Sequence, residues 1–367
     1  MAGLLSGLKI LDFTRLLPGP KLTHLMAGMG AAVTKIEAPK RPDTTRHQHP
    51  GLYHQLNCNK VLKVVDYNTA EGREEVLALA AESDVLVEGF RPGIMAEWGL
   101  GFEDVRAVND KITYASVTGY GQSGVYSHLA GHDINYLATA GLLSQLIGRG
   151  DTSLPAVPGF QAADIAGGSY MGLAAIQAAL LKRFRDPDGY EGAHVDIDMT
   201  AAVVPLNTIP FSISQTGLSV DILNVLNGRT AANYAVYETK DGKYMAVGAL
   251  EMKFWKKVCS VIGRADWAKM NQLQLVFAPP LGKGFPLEEL EGIFKSKTRD
   301  EWTRLFGEAD CCVTPVLEVH EIKGAEYHVD KGTVEALVDV NESSWVKSAG
   351  MAVIGADHGL ALPFKLS

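Results

Sequence analysis

The chain has 367 residues, of which 47% are hydrophobic, and its formal net charge is −8. This length and composition suffice for a large core and favour two domains over one. The acidic balance argues against nucleic acid as the main partner, because duplex binding requires a basic face. The uncharged run at residues 165–181 is shorter than the roughly 18 to 20 residues that span a bilayer. It therefore predicts a buried core helix and no membrane partner.

The first two hundred residues alternate between strand and helix patterns. Strands are predicted over 8–13, 32–37, 84–88, 112–117 and 194–198, and helices over 21–29, 70–81 and 102–108, with a turn at 15–20. Parallel neighbouring strands require crossover connections, so this alternation predicts a parallel, doubly wound sheet. The pattern places a large α/β domain over residues 1–210.

A second pattern begins near residue 225. Predicted strands at 234–238 and 243–247 flank Thr-Lys-Asp-Gly, which is typical of a β-hairpin. Helices are predicted over 251–262, 287–294 and 299–306, with a strand at 313–316. These elements predict a smaller α+β domain over residues 225–330, and the apolar tail at 335–367 is expected to pack back on the first domain.

The cysteines and the first residues bear on cellular location. Four cysteines occur without CxxC spacing, namely Cys58, Cys259, Cys311 and Cys312. This usage predicts a reduced intracellular compartment, no disulfide and no metal site. The N-terminal residues lack the features of a signal peptide, so we expect the protein to be cytoplasmic.

Basic residues are concentrated at the start of the chain. Residues 1–63 contain nine Lys and Arg against three acidic residues. Such a segment on an acidic protein can attract a compact polyanion such as a phosphorylated cofactor. The alternative is a set of scattered, solvated side chains.

One glycine motif is discounted as a dinucleotide site. Gly119, Gly121 and Gly124 satisfy the GxGxxG pattern after a predicted strand. A dinucleotide fingerprint must also open a helix and be followed by an acid, whereas the residues after Gly124 have a loop pattern. A loop at this edge of the sheet is still expected to line a ligand pocket.

Two proton carriers framed by glycines indicate chemistry at a carbon acid. His132 and Asp133 lie in Gly-His-Asp, and Asp164 lies in Ala-Asp-Ile-Ala-Gly-Gly. Inverting a C–H centre requires a base on one face and an acid on the other, and His132 and Asp164 can fill these places. The structural alternatives are a backbone-bonded residue at a helix start for His132 and a helix N-cap for Asp164.

Several ordered motifs resemble the class III CoA-transferase superfamily, also called CaiB/BaiF, and within it the α-methylacyl-CoA racemases. They read LKILDFT, PGP, VTKIEAP, SDVLVEGFRPG, SVTGYGQSG and AGHDINYLA. The resemblance implies a large Rossmann-like domain, a small domain and an interlocked homodimer that shares active sites between subunits. It also implies an acyl-CoA substrate and no cofactor beyond the CoA moiety of that substrate.

His132 marks the branch within this superfamily. Transferases of this superfamily typically have an aromatic residue before the motif aspartate and use the later aspartate as a nucleophile. This chain has Gly-His-Asp, so the resemblance implies that His132 and Asp164 act as acid and base in a racemase. It further implies supporting roles for Asp133, Glu251 and Tyr234, the last two from the partner subunit. The alternatives without a catalytic role are a helix cap for Glu251 and a half-buried strand residue for Tyr234.

The resemblance also implies contacts to CoA. Basic side chains suit its phosphates, and the expected contacts are Lys35, Lys40, Arg41, Arg46, Lys60, Arg91, Tyr120 and Gly121. Cys58, Val61 and Gly159 depart from the family pattern, and Lys63 is a possible substitute for a missing basic contact. The preferred function is a racemase of 2-methyl-branched acyl-CoA thioesters. The alternatives are a CoA-transferase acting through an Asp164 acyl anhydride and an acyl-CoA-binding protein without activity.

Overall fold

The computed structural model describes residues 3–146, 154–216, 231–270, 275 and 285–331. The chain divides into two compact units. Within the described residues, the larger unit contains 3–140, 158–206 and 323–331, and the smaller unit contains the rest. The predicted packing of 335–367 falls outside the described residues.

A six-stranded sheet forms the centre of the larger unit. Its strands run in the order β3-β2-β1-β4-β5-β6, and every pair is parallel. The strands are β1 (Lys9–Asp12), β2 (Ala32–Glu37), β3 (Lys60–Val64), β4 (Val85–Glu88), β5 (Thr113–Thr118) and β6 (Ala193–Asp198). This order reverses between β1 and β4, and ligands of open α/β sheets bind at the carboxyl ends of the strands at such a switch point.

The helices of the larger unit connect these strands. They are α1 (Pro18–Gly28), α2 (Thr45–Gln48), α3 (Pro50–Asn57), α4 (Ala70–Ala81), α5 (Ile94–Glu97), α6 (Phe102–Val108), α7 (Asp133–Thr139), α8 (Met171–Arg185) and α9 (Met199–Val203). A π-helical segment, Ala163–Tyr170, leads into α8. Local signals fix some of the ends, since Pro18 starts α1 with a preset φ and the Thr69 hydroxyl accepts a hydrogen bond from Gly72 N–H at the start of α4.

Both faces of the sheet are covered. On one face, Leu11, Leu86 and Tyr114 pack against Val76 of α4 and Val105 of α6 in one buried cluster. The helix α1 packs against β1, β2 and β4, the helix α8 packs against β5 and β6, and the two helices contact each other. Every residue of β4 and β5 is buried, as expected for a sheet between two helical layers. The predicted α/β fold with a parallel sheet is confirmed.

The smaller unit has an antiparallel sheet in the order β7-β8-β9. Its elements are α10 (Thr208–Gln215), β7 (Tyr234–Glu238), β8 (Tyr244–Gly248), α11 (Met252–Val261), α12 (Leu287–Phe294), α13 (Arg299–Ala309) and β9 (Val313–Pro315). Gly242 has a φ of 72° in the β7–β8 turn, a conformation that glycine adopts without steric cost. Trp255, Trp267, Trp302 and Phe294 fill the core of this unit. The predicted hairpin and α+β character are confirmed. A short helix, α14 (Glu326–Lys331), follows in the larger unit.

Two expectations require correction. The run 165–181 does not form a buried core helix, because its residues Tyr170, Met171 and Leu181 are 44%, 49% and 56% exposed. It has a buried side and an exposed side, and it begins as the π-helical segment. The strand β3 was not predicted, because its burial does not alternate and only its first residue is buried. No helix within the described ranges is long and apolar enough to cross a membrane.

Candidate active site

A cavity of about 440 Å³ lies at the carboxyl ends of the central strands, entirely within the larger unit. Its walls are the segments that follow β1, β4 and β5, together with the loop before α7. The lining residues are 14–16, 18, 19, 89–92, 117–120, 127, 129–132, 136, 164 and 199. The cavity therefore occupies the position at which the strand order reverses, and it brings His132 and Asp164 into one site.

His132 is exposed at the start of α7. Its backbone N–H donates to the Asn135 side-chain oxygen at 3.0 Å, and its C=O accepts from Asn135 N–H at 2.8 Å. The helix start is thus fixed through the backbone of His132 and leaves the imidazole at the cavity wall. His132 therefore lies both at the start of a helix and at the wall of the cavity. The structural role and the catalytic role predicted for this residue are compatible.

Tyr136 joins the two glycine segments of the site. Its hydroxyl donates to Gly131 C=O at 2.5 Å, and its ring stands edge-on to Tyr120 with centroids 5.3 Å apart. A Cβ at Gly119 or Gly131 would lie 2.3 or 2.6 Å from the Tyr136 ring, which is closer than packed atoms allow. These two glycines are therefore required by the packing of Tyr136.

Asp164 is the second residue of the π-helical segment, and Asp133 holds it in place. The Asp133 carboxylate accepts a hydrogen bond from the Asp164 backbone N–H at 2.9 Å. Burial, and then the charge of Asp133, raise the pKa of Asp164 from 3.8 to about 7. A carboxyl group with this pKa can accept or donate a proton near neutral pH, which suits general acid–base catalysis.

The segment that carries Asp164 packs closely on its neighbours. A Cβ at Gly167 would lie 2.7 Å from Met199 C=O, and one at Gly168 would lie 2.8 Å from Pro18 Cβ. The Ser169 hydroxyl donates to Pro18 C=O at 2.7 Å. The Gly-Gly-Ser sequence after Asp164 therefore allows close contact with the starts of α1 and α9, which fixes the Asp164 backbone.

The residues predicted to contact CoA fall in different places. Arg91 and Tyr120 line the cavity, while Gly121 has a φ of 76° just beyond it. Lys40 and Arg41 are exposed outside the cavity lining. Roles in CoA binding stay predictions for these residues.

Lys35 and Lys60 require correction. Both side chains have no exposed area and form interior ion pairs, Lys35 with Asp43 at 3.6 Å and Lys60 with Asp12 at 2.9 Å. Their ammonium groups are enclosed because they are needed to neutralise buried carboxylates. They therefore do not present a charge to CoA.

Arg46 is also engaged within the protein. Its guanidinium donates to Glu37 at 2.8 Å and to the Tyr53 hydroxyl at 2.9 Å. The Tyr53 hydroxyl in turn donates to Glu37 at 2.8 Å. Three of the nine basic residues in 1–63, Lys35, Arg46 and Lys60, thus pair with the three acidic residues of the same segment.

Sequence reasoning missed Arg15 and Phe90 as cavity residues. The Arg15 guanidinium carbon lies 4.8 Å from the centroid of the Phe90 ring, and both residues line the cavity. Arg15 follows β1 and Phe90 follows β4. The predicted strand ends could have identified both, because the carboxyl ends of adjacent parallel strands lie at one edge of the sheet.

Glu251 and Tyr234 belong to the smaller unit. Glu251 is exposed and precedes α11, where its C=O accepts from Phe254 N–H at 2.9 Å. Tyr234 is partly buried at the start of β7. Glu251 thus lies at the start of its helix and Tyr234 lies in its strand, as the non-catalytic alternatives predicted. The catalytic roles of both residues stay predictions. Within the described ranges, no group of three or more His, Cys, Asp or Glu side chains is arranged to bind a metal ion.

Comparison with known proteins shows the family of the chain. The model of CoA-transferase family III matches residues 5–357. Human alpha-methylacyl-CoA racemase is 33% identical over 90% of this chain and 82% of its own length, and human succinyl-CoA:glutarate CoA-transferase is 33% identical over 82% of this chain and 69% of its own length. A CaiB/BaiF family protein of Brucella suis has a similar crystal structure, with a TM-score of 0.80, 25% identity and coverage of 100% of this chain and 93% of that chain. The chain therefore belongs to CoA-transferase family III, whose members include both racemases and CoA-transferases.

Proposed function

We propose that the protein is a racemase or epimerase of 2-methyl-branched acyl-CoA thioesters. The observation that carries this proposal is the placement of His132 and Asp164 in one cavity, with the pKa of Asp164 raised to about 7. One residue removes the α-proton to give an enolate, and the other returns a proton to the opposite face. Each positioned acid or base accelerates such a step by roughly 10² to 10⁴.

The raised pKa of Asp164 suits reversible proton transfer. A racemase works in both directions, so each of its two groups must act as a base in one direction and as an acid in the other. A carboxyl group with a pKa near 7 populates both forms at neutral pH.

For the CoA part of the substrate, we propose Arg91 and Tyr120 at the cavity wall. The Arg91 guanidinium suits a phosphate because its planar group offers paired donors. No cofactor beyond the CoA moiety is needed for α-proton exchange. Three of the four cysteines are buried free thiols and Cys312 is an exposed one, which supports a reducing, cytoplasmic location.

The deciding experiment is incubation of the purified protein with one enantiomer of 2-methylbutanoyl-CoA in D₂O, without any acceptor acid. We expect α-deuterium incorporation by NMR together with loss of optical purity. Formation of a second CoA thioester that depends on an added acid, without α-exchange, would assign the protein as a CoA-transferase. Tight CoA binding with neither reaction would assign it as a binding protein.

Variants of the two proton carriers test the mechanism further. His132→Ala should retain some exchange on the enantiomer whose proton faces Asp164, and Asp164→Ala should retain some on the other. Both should lose interconversion by about two to four powers of ten. His128→Gln is the matched control, because His128 is exposed in the same loop but does not line the cavity. Near-normal racemisation by His132→Ala would exclude the mechanism.

We further propose that the protein acts as an interlocked homodimer in which Glu251 of the partner subunit and Tyr234 of the partner subunit support the site. The apolar side chains exposed along the helix after Asp164 support this proposal, because Met171, Leu181 and Phe184 are 49%, 56% and 85% exposed. Large apolar side chains exposed on one helix are consistent with an interface.

A complementation experiment tests this assembly. Asp164→Ala and Glu251→Ala chains, each inactive alone, should recover part of the activity when they are refolded together. Each variant refolded with itself is the control. Full activity at the mass of a monomer would refute the shared site.

A further inference from the structure

Arg15 lines the cavity and has no acidic partner among the described residues. Within the described ranges, no carboxylate forms an ion pair with it, and its guanidinium rests over the Phe90 ring with 4.8 Å between the guanidinium carbon and the ring centroid. An aromatic face of this kind orients the guanidinium but leaves its donors free. Arg15 is an exposed residue of the cavity lining, and its donors therefore stay available to a ligand of the cavity.

A buried ion pair fixes the backbone on both sides of Arg15. The Lys35 ammonium donates to Thr14 C=O at 2.7 Å, and the Asp43 carboxylate accepts from Leu16 N–H at 3.1 Å. Lys35 and Asp43 also pair with each other at 3.6 Å, and neither side chain has any exposed area. The two peptide groups that flank Arg15 are thus each held by one member of the same pair.

This arrangement also holds an unfavourable backbone conformation. Leu16 has a φ of 67°, in the left-handed region that is sterically unfavourable for a non-glycine residue. Such residues persist where the surrounding structure over-determines them, and they cluster at ligand sites. Here the Leu16 conformation turns the chain directly after Arg15, at the wall of the cavity.

The charges near Arg15 favour a negative ligand. The cavity lining includes Arg15 and Arg91, and its acidic side chain is Asp164. Burial and Asp133 account for the raised pKa of Asp164, and no cation of the described residues offsets them, so the guanidinium of Arg15 is not paired with the reacting carboxyl group. The amino end of α1, whose first turn contains no acidic residue, adds partial positive charge at Pro18 and Gly19 in the same wall.

We propose that Arg15 binds an oxyanion of the substrate, in a part of the cavity separate from Asp164. Two groups of an acyl-CoA have this chemistry, a carboxylate at the far end of the acyl chain and a phosphate of CoA. The Lys35–Asp43 pair is a positioning device for Arg15. This inference rests on the proposed function, because it assumes an acyl-CoA ligand.

The test compares binding of two thioesters by isothermal titration calorimetry. 2-Methylbutanoyl-CoA and 2-methylsuccinyl-CoA differ by one terminal group, methyl in the first and carboxylate in the second. Arg15→Gln removes the charge, Arg15→Lys keeps the charge without the forked geometry, and Arg185→Gln is the control at an exposed arginine outside the cavity lining. CoA and 3′-dephospho-CoA complete the ligand set.

If Arg15 binds the terminal carboxylate, Arg15→Gln should weaken the binding of 2-methylsuccinyl-CoA by about tenfold to a hundredfold. The binding of 2-methylbutanoyl-CoA should then be unchanged. If Arg15 binds a phosphate of CoA, both thioesters and CoA itself should lose the same factor of affinity. If that phosphate is the 3′-phosphate, the affinity for 3′-dephospho-CoA should not change. Arg15→Lys should recover part of the lost affinity in either case.

Two outcomes separate the failure of this inference from the failure of the proposed function. Affinities of Arg15→Gln that match those of Arg185→Gln for every ligand would overturn the role of Arg15 and leave the racemase proposal intact. A wild-type protein that binds none of the thioesters would overturn both.

Discussion

The carboxylate of Asp133 accepts the backbone N–H of Asp164 at 2.9 Å, and its charge also helps to raise the pKa of the Asp164 side chain. One residue therefore both positions the neighbouring acid and adjusts its protonation. Asp133 is itself 9% exposed, so its charge acts through a weakly screening environment. The adjacent acids of the site have different tasks because only Asp164 lines the cavity.

Asp133→Asn should shift the pH dependence of α-proton exchange. The amide oxygen can still accept the Asp164 N–H, but the negative charge is lost, so the pKa of Asp164 should fall from about 7. For the enantiomer on which Asp164 acts as the base, the rise of kcat/KM with pH should move to lower pH. The full pH profile for each enantiomer measures this shift. An unchanged profile would mean that burial alone sets the pKa of Asp164.

Asp164→Asn should stabilise the fold more at pH 8 than at pH 5. The pKa of Asp164 is raised in the folded protein to about 7 from 3.8, so the folded state holds this proton more tightly than the unfolded chain does. Its contribution to stability is favourable at low pH and is lost as pH rises through about 7. Chemical denaturation at both pH values measures the difference. Asp188→Asn, at an exposed aspartate, should show no such pH dependence.

Gly119→Ala should destabilise the fold and lower activity. The added Cβ would lie 2.3 Å from the Tyr136 ring, so the ring must move, and overpacking of this kind costs about 1 to 3 kcal/mol. Thermal unfolding and the exchange assay measure the two effects. Gly159→Ala is the control for unfolding, because nothing lies within 4 Å of a Cβ at Gly159. Equal melting temperatures for the two variants would contradict the proposed packing.

Lys60→Met should destabilise the fold by about 3 to 5 kcal/mol, because it leaves the carboxylate of Asp12 buried without its partner. The pair is 2.9 Å apart with no exposed side-chain area. Lys63→Met, in the exposed pair with Glu75, should change stability by about 1 kcal/mol or less. Urea denaturation of both variants measures the contrast, and similar losses would show that burial does not decide the value of these pairs.

The alternation of strand patterns with helix patterns was sufficient to predict the parallel sheet and several element boundaries. Ala32–Glu37, Ala70–Ala81 and Leu287–Phe294 match their predicted limits, because their end signals are local. The edge strand β3 was missed because it is buried at one residue only. The π-helical start before α8 depends on contacts of Gly167 and Gly168 with distant residues, which a local pattern does not contain.

The candidate site could be predicted in part. His132 and Asp164 were identified by residue type and glycine context, and the structure brings both to one cavity. Lys35 and Lys60 were misread because a lysine on a strand has the same sequence signal whether it meets solvent or a buried carboxylate. Their partners Asp43 and Asp12 are brought close by the fold, and local sequence carries no record of that proximity.

The π-helical segment has a consequence for the evolution of this site. A π-turn contains one residue more than an α-turn, and Asp164 lies near the start of such a segment, with α8 continuing from its end. Loss of one residue between Ile165 and Tyr170 would restore α-geometry and rotate the preceding side chains by about 100° around the helix axis. Asp164 would then turn away from the cavity while the sheet stayed intact. A single-residue deletion would thus separate the fold of this chain from the chemistry proposed for it in one step.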